Sequence, residues 1–170
     1  MIRNATDADA PRLAEIYNHY VLHNSCTFET ESLDAGEMRI RVGRVQASGD
    51  PWLVLEEQGK VWGYAYAHPF RERRAYRYTC EGSVYCCREG LGMQLGERLL
   101  QGLIQRLRED GRYYTLIGVI AGDNEASIRL CQKLGFHFGG RLPRVGRKNG
   151  QWLDTVNYYY PLREYERIDD

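Results

Sequence analysis

Apolar residues recur along this chain with two alternating periods. After residue 95, Leu99, Leu100, Leu103, Ile104 and Leu107 fall at helical spacing. Glu97, Arg98, Gln101, Gln105, Arg106, Arg108 and Glu109 fill the other face, which predicts a strongly amphipathic helix stopped by Gly111. Ahead of it, YTCEGSVY reads as a strand carrying one acidic residue, joined to the helix by a glycine-bearing loop. The N-terminal third is helical in rhythm. A short strand near Ile2 to Ala5 leads to Thr6 with Asp9, a capping-box pattern. Leu13, Ile16, Tyr17, Tyr20 and Val21 then mark one face of a first helix. NSCTFETESL is loop-like, and Asp34 with Glu37 predicts the start of a second helix that runs to about Ala47.

From Pro51 the period shortens. WLVLEE and VWGYAYAHPF, separated by Gln58, Gly59 and Lys60, predict a hairpin of β-branched and aromatic strands. TLIGVIAG is nearly continuously apolar, the pattern of a strand covered on both faces. A cap at Asp123 or Asn124 opens a short helix with Ile128, Leu130, Cys131 and Leu134 as apolar positions and Gly135 at its end. The remaining stretch predicts two strands joined by an Asn149-Gly150 turn. The order strand, two helices, strands, helix, strand, helix, strands points to an α+β fold, a sheet with helices on its faces. No repeat or linker interrupts residues 1–170, so one domain is expected.

Composition narrows the functional classes. With 43% hydrophobic residues the chain buries a sizeable core. Lysine plus arginine equals aspartate plus glutamate at 23 each, so no global field recruits nucleic acid or an anionic membrane. No apolar run approaches the roughly 18 residues of a membrane span. MIRNATDADAP lacks the apolar centre of a signal peptide, so a cytoplasmic location is expected. Five cysteines, Cys86 and Cys87 adjacent and no CxxC pair among them, read as reduced thiols. His19 and His23 lie one helical turn apart, but no third ligand type accompanies them, and no metal is expected.

A strand that turns through glycines into a helix aims free N–H groups and a positive dipole end at the turn, where a phosphate is favoured. The same glycines also serve as plain structural punctuation. In FRERRAYRY, the arginines Arg71, Arg73, Arg74 and Arg77 are either a solvated edge or a cluster that reads carboxylate or phosphate bidentately.

Several blocks in order carry a resemblance over nearly the whole chain: IRNAT, AEIYNHYV, TFETE, PWLVLEEQGKVWGYAYAHPFRERRAYRYT, EGSVY, NEASIRLCQKLGF and VGRKNGQWLD. The chain resembles the GCN5-related N-acetyltransferases (GNAT), and within them the phosphinothricin and methionine sulfoximine/sulfone acetyltransferases. The resemblance implies a mixed, mostly antiparallel central sheet flanked by helices on both faces, and homodimers. It implies transfer of an acetyl group from acetyl-CoA to the amino group of a small amino-acid-like acceptor. Glu81 takes the position of the family's base, and an isolated carboxylate between apolar strand residues has its proton affinity raised by desolvation. By the same carry-over, Val84, Tyr85 and Cys86 pair with the pantetheine arm through their backbone. Asn124 contacts cofactor or acceptor, Lys133 approaches cofactor phosphate, Arg71, Glu72 and Arg73 form the acceptor segment, and Phe28 and Glu29 form part of the pocket wall.

Two positions depart from the family pattern. The phosphate loop aligns with Leu91, Gly92, Met93, Gln94, Leu95 and Gly96, followed by Glu97. Leu91 replaces an arginine or glutamine, and Gln94 replaces the first glycine, where a side chain restricts the φ range and close approach. Cys131 stands where the superfamily often has tyrosine and this subfamily histidine. It is either a packing residue or a proton donor to the departing thiolate; direct transfer is expected rather than an acetyl-cysteine route. The loop leaves a second reading, a degenerate relative that binds CoA weakly and serves as a binding or regulatory module. A third, acetylation of protein termini or lysines, is opposed by the arginines suited to a free carboxylate. The tyrosines of NYYYPL fit either a dimer interface or simple alternation over the core.

Overall fold

The computed structural model describes residues 1–90 and 92–165. In chain order the elements are β1 (Ile2–Asn4), α1 (Ala10–His23), α2 (Ala35–Ala47), β2 (Trp52–Glu57), β3 (Lys60–Pro69), β4 (Thr79–Cys86), α3 (Leu95–Asp110), β5 (Thr115–Ala121), α4 (Glu125–Lys133), β6 (His137–Lys148) and β7 (Gln151–Pro161), with short 3-10 turns between some of them. The seven strands form one sheet in the order β1-β2-β3-β4-β5-β7-β6. Every neighbouring pair is antiparallel except β4 with β5.

Local signals act where the pattern placed them. The Asp9 carboxylate accepts the Thr6 N–H at 2.8 Å, and the Asp34 carboxylate accepts the Glu37 N–H at 2.8 Å as the cap of α2. The β2–β3 turn is Gln58–Gly59, with φ of 52° and 75°, and Lys60 already belongs to β3. Asn149–Gly150 closes β6 onto β7 with φ of 50° and 78°, the left-handed pair that a tight hairpin needs.

Strand β3 alternates small and aromatic residues, and this alternation sorts the helices onto opposite faces of the sheet. Gly63, Ala65 and Ala67 face α3; a Cβ at Gly63 would stand 2.9 Å from Leu99 Cδ1 and 2.7 Å from the Tyr85 carbonyl. The helix therefore seats deeply, burying Leu95, Leu99, Leu103 and Leu107. On the opposite face Trp52, Tyr64, Tyr66 and Tyr85 form a ring layer, with Trp52 and Tyr66 stacked at 4.2 Å, and Tyr17 and Tyr20 of α1 close over Tyr85 edge-on. Aromatic pairs at such distances add about 0.5–1.5 kcal/mol each beyond area burial.

Strand β5 differs from its expected cover. Leu116, Ile120 and Ala121 are buried, but Ile117 and Gly118 are half-buried and Val119 is exposed. The reason lies in the sheet. β4 and β5 pair only through Thr79–Thr115, Cys80–Leu116 and Glu81–Ile117, after which the two strands diverge. β5 continues along β7 and β4 along β3, so the apolar residues of the diverging segment line a gap.

Candidate active site

The gap between β4 and β5 is a cavity of about 520 Å³. Its walls are Gly82, Ser83, Val84, Tyr85 and Cys86 on one side and Ile117, Gly118, Val119 and Ile120 on the other. The N-terminus of α3 and one face of α4 complete it through Gln94, Gly96, Glu97, Asn124, Leu130 and Cys131. Three glycines in the lining, Gly82, Gly96 and Gly118, keep the cleft narrow yet open.

The backbone of β4 constrains what such a cleft can hold. Cys87 N donates to Trp62 O, whereas Cys86 N donates to the Tyr20 hydroxyl, so odd-numbered residues turn toward β3 and even-numbered ones toward the gap. The Tyr20 hydroxyl also donates to Cys86 O at 2.7 Å, which engages both backbone groups of that residue. Tyr85 directs its backbone to β3. Val84, of the three expected strand-pairing residues, thus presents its N–H and C=O to the cleft beyond the reach of any β5 partner. An extended chain bearing amides fits there as an added strand. Tyr20, which the sequence assigned only to a helix face, is the plug that ends the cleft; burial pushes its hydroxyl up to about 12.

At the α3 end, Gly92 and Gln94 both adopt left-handed backbone, with φ of 88° and 55°. Gln94 is the residue before the first helical turn, makes no side-chain cap, and lines the cleft. Leu95 is buried, Met93 is 38% exposed, and Leu91 lies outside the described residues. Glu97 and Lys133 form an ion pair at 2.5 Å that ties α3 to α4 across the mouth. Lys133, expected to approach cofactor phosphate, thereby stands beside the N-terminus of α3 with a partner already in place. Asn124 caps α4 by accepting the Ser127 N–H at 3.2 Å while lining the cavity.

Glu81 sits at the apex, in the last β4–β5 pair before the strands part, opposite His68 on β3. Burial raises its proton affinity, and the nearby His68 works in the other direction. Cys131, buried on α4 and facing Gly118, has its thiol pushed up to about 11 by burial. It therefore stays protonated near neutral pH, which suits a donor or packing group and disfavours a thiolate nucleophile. Ser25 donates to Asp123 at 2.5 Å, closing the α1–α2 loop over the β5–α4 turn.

The residues expected to meet the acceptor lie outside the cavity lining and fall into two groups. Glu29 is gripped bidentately by Arg41 at 2.7 and 3.1 Å, and Arg41 also reaches Glu37. Phe28 rests on Gly146, where any side chain would collide with its ring. Lys148, only 4% exposed, donates to Thr27 O at 2.8 Å and clips this same loop to β6. Neither Arg41 nor Lys148 was marked by pattern, since each sits in a run that reads as solvated charge. Arg71, Glu72 and Arg73 are exposed on the segment leaving β3 just past His68, and Arg71 lies over the rings of Phe70 and Tyr76 at 5.0 and 5.5 Å. They stand on the rim near Glu81's end of the sheet and outside the cleft lining.

Known proteins align with this architecture over most of its length. A family model described as acetyltransferase (GNAT) domain matches residues 2–156. A phosphinothricin N-acetyltransferase of Alcaligenes faecalis is 41% identical over 162 residues, covering 95% of this chain and 82% of that protein. The L-methionine sulfoximine/L-methionine sulfone acetyltransferase of Salmonella typhimurium is 39% identical, covering 99% and 98% of the two chains. An acetyltransferase structure from Salmonella typhimurium, solved with its cofactor acetyl-CoA, superposes with a TM-score of 0.95 at 38% identity, over 99% of this chain and 97% of that one. The chain belongs to the GNAT acetyltransferase family.

Proposed function

We propose that this protein transfers the acetyl group of acetyl-CoA directly to the amino group of a small free amino acid or analogue, of the phosphinothricin or methionine sulfoximine/sulfone type. The observation that carries the reading is the parted β4–β5 pair with Glu81 at its apex and Val84's backbone open to the cleft. Acetyl-CoA, when bound, supplies an activated thioester. Val84 and the glycine-lined walls hold its slender arm, and the first turn of α3 with Gln94, Gly96 and Glu97 receives its phosphates. Glu81, raised by burial, removes a proton from the acceptor amine, directly or through one water. The Val84 N–H faces the charge that develops on the carbonyl oxygen, and the neutral Cys131 thiol passes its proton to the leaving sulfur and is reprotonated from solvent through the open cleft. Arg71 and Arg73 meet the acceptor's carboxylate, with Phe28 and Glu29 as the opposite wall.

Residues 1–170 act as one catalytic domain in this reading, in the cytoplasm, as a homodimer. Support for the dimer is an apolar surface on β6 and β7, where Phe138 and Trp152 are 59% and 64% exposed. Among the described residues no helix is long and apolar enough to cross a membrane. The test is calorimetric titration with acetyl-CoA, followed by free-thiol release against amino acids, methionine sulfoximine and peptides. Thiol release that depends on a free amino acid supports the reading. Absence of acetyl-CoA binding at millimolar concentration would remove it.

A further inference from the structure

A base that has taken a proton must lose it before the next turnover, and a half-buried carboxylate needs a path for it. Among the described residues nothing donates a hydrogen bond to the Glu81 carboxylate; burial and the charge of His68 are what act on its acidity. His68 stands directly across the β3–β4 ladder from Glu81. Residues so paired bring their Cβ atoms to about 4.5–5.5 Å of each other; the ring and the carboxylate make no direct hydrogen bond or ion pair, a separation that one water spans. The His68 Nδ1 lies 2.9 Å from the Pro69 carbonyl at an exposed position. A ring that donates Nδ1–H to that carbonyl leaves Nε2 as its basic nitrogen. Stacking on Tyr66, with centroids 6.0 Å apart, limits the orientations of the ring.

Of the other charged or titratable groups near this pair, Arg71, Glu72 and Arg73 stand exposed on the rim just past His68, and the rest are already engaged. On β3, Tyr66 is held to Ser83 of β4 and feels Glu81, Arg41 and Glu29. From α2, Arg41 is committed to Glu29 and Glu37. From β5, the residue facing Glu81 is the apolar Ile117.

We propose that His68 is the proton exit of the site: the proton that Glu81 takes from the acceptor amine passes to His68 Nε2 and on to solvent, restoring the carboxylate. In the first step an amine N–H bond breaks as a carboxyl O–H forms. In the second that O–H breaks and an imidazole N–H forms through one bridging water, which takes the carboxyl proton as it gives one of its own to Nε2, and solvent buffer takes the proton from the ring. His68 acts through Glu81 and touches neither reacting atom. This rests on the acetyl-transfer reading.

Two measurements test it together. Carbon-13 NMR of glutamate-labelled protein follows the Glu81 carboxyl titration in wild type and in His68→Gln, without cofactor. Steady-state turnover follows kcat against pH in wild type, His68→Gln and His68→Ala, the last with added imidazole. The expected result is an upward move of the Glu81 midpoint in His68→Gln and a fall in kcat of about a hundredfold, the low end of proton-transfer effects. Imidazole restores kcat of His68→Ala in a concentration-dependent way. An unmoved Glu81 midpoint, or unchanged kcat profiles with no imidazole effect, overturns the relay while wild-type turnover still stands. Absent wild-type turnover with a moved midpoint instead overturns the acetyl-transfer reading, and the relay falls with it.

Discussion

Gln94→Gly isolates the most conspicuous departure in the phosphate loop. Gln94 holds φ 55° and ψ 27°, the left-handed region, with no side-chain cap to compensate. For a residue with a Cβ that conformation costs about 1–2 kcal/mol. Glycine removes the cost but adds about 0.5–1 kcal/mol of unfolded-chain entropy. The net gain is about 0.5–1 kcal/mol, which for a chain of this size raises the melting temperature by about 1–4 °C. Gln94→Ala is the control, since it removes the side chain and keeps the strain. Thermal unfolding of the three proteins, with and without acetyl-CoA, reads both effects. Glycine should melt above both alanine and wild type, and it should bind acetyl-CoA more tightly, because the side chain no longer projects into the cleft. A glycine variant no more stable than alanine would refute the assignment of backbone strain to this position.

Three further outcomes are expected. Lys148→Met leaves the Thr27 carbonyl without its donor, an effect of about 1–3 kcal/mol; it should lower the melting temperature and raise KM for the acceptor more than for acetyl-CoA, and equal rises in both would count against the clip. Glu81→Gln should cut kcat about 10²–10⁴-fold with acetyl-CoA affinity retained by calorimetry. Its fold raises the carboxyl above its ordinary 4.5, so the ionised form is disfavoured in the native state: the Gln variant should gain stability as pH rises through that raised value, and lose the advantage below 4.5. For the same reason wild-type turnover should decline as pH falls through the raised value, where Glu81 becomes protonated. Cys131→Ser keeps a donor, whereas Cys131→Ala removes it; a rate loss confined to alanine marks a proton donor, and equal small losses mark packing.

Much of the fold was legible because its signals are local. The Leu99 to Leu107 stripe, the Asp34 cap and the Asn149–Gly150 turn each operate within a few residues, and each lies where pattern placed it. Long-range geometry was not legible. TLIGVIAG reads as covered on both faces because apolar runs carry no mark of a partner strand turning away, yet Ile117 and Val119 line a gap. Lys148 sits among charges in VGRKNG, and nothing nearby tells that its ammonium reaches a carbonyl 121 residues earlier in the chain. Glu81 was readable as an acid between apolar neighbours. Its opposition to His68 depends on strand register, which fixes who faces whom only once the strands pair.

The parting of β4 and β5 is in one respect a defect. An unpaired strand edge ordinarily invites another chain to dock and aggregate. Here the exposed edge lies at the bottom of a slot walled by α3, α4 and the α1–α2 loop, its mouth strapped by Glu97–Lys133 and Ser25–Asp123. A polypeptide strand carries side chains on both faces that these walls would meet, whereas a thread of methylenes and amides carries none. The fold thus keeps a sticky edge and walls it off, so the protection against stray pairing is built from the same elements that line the cleft.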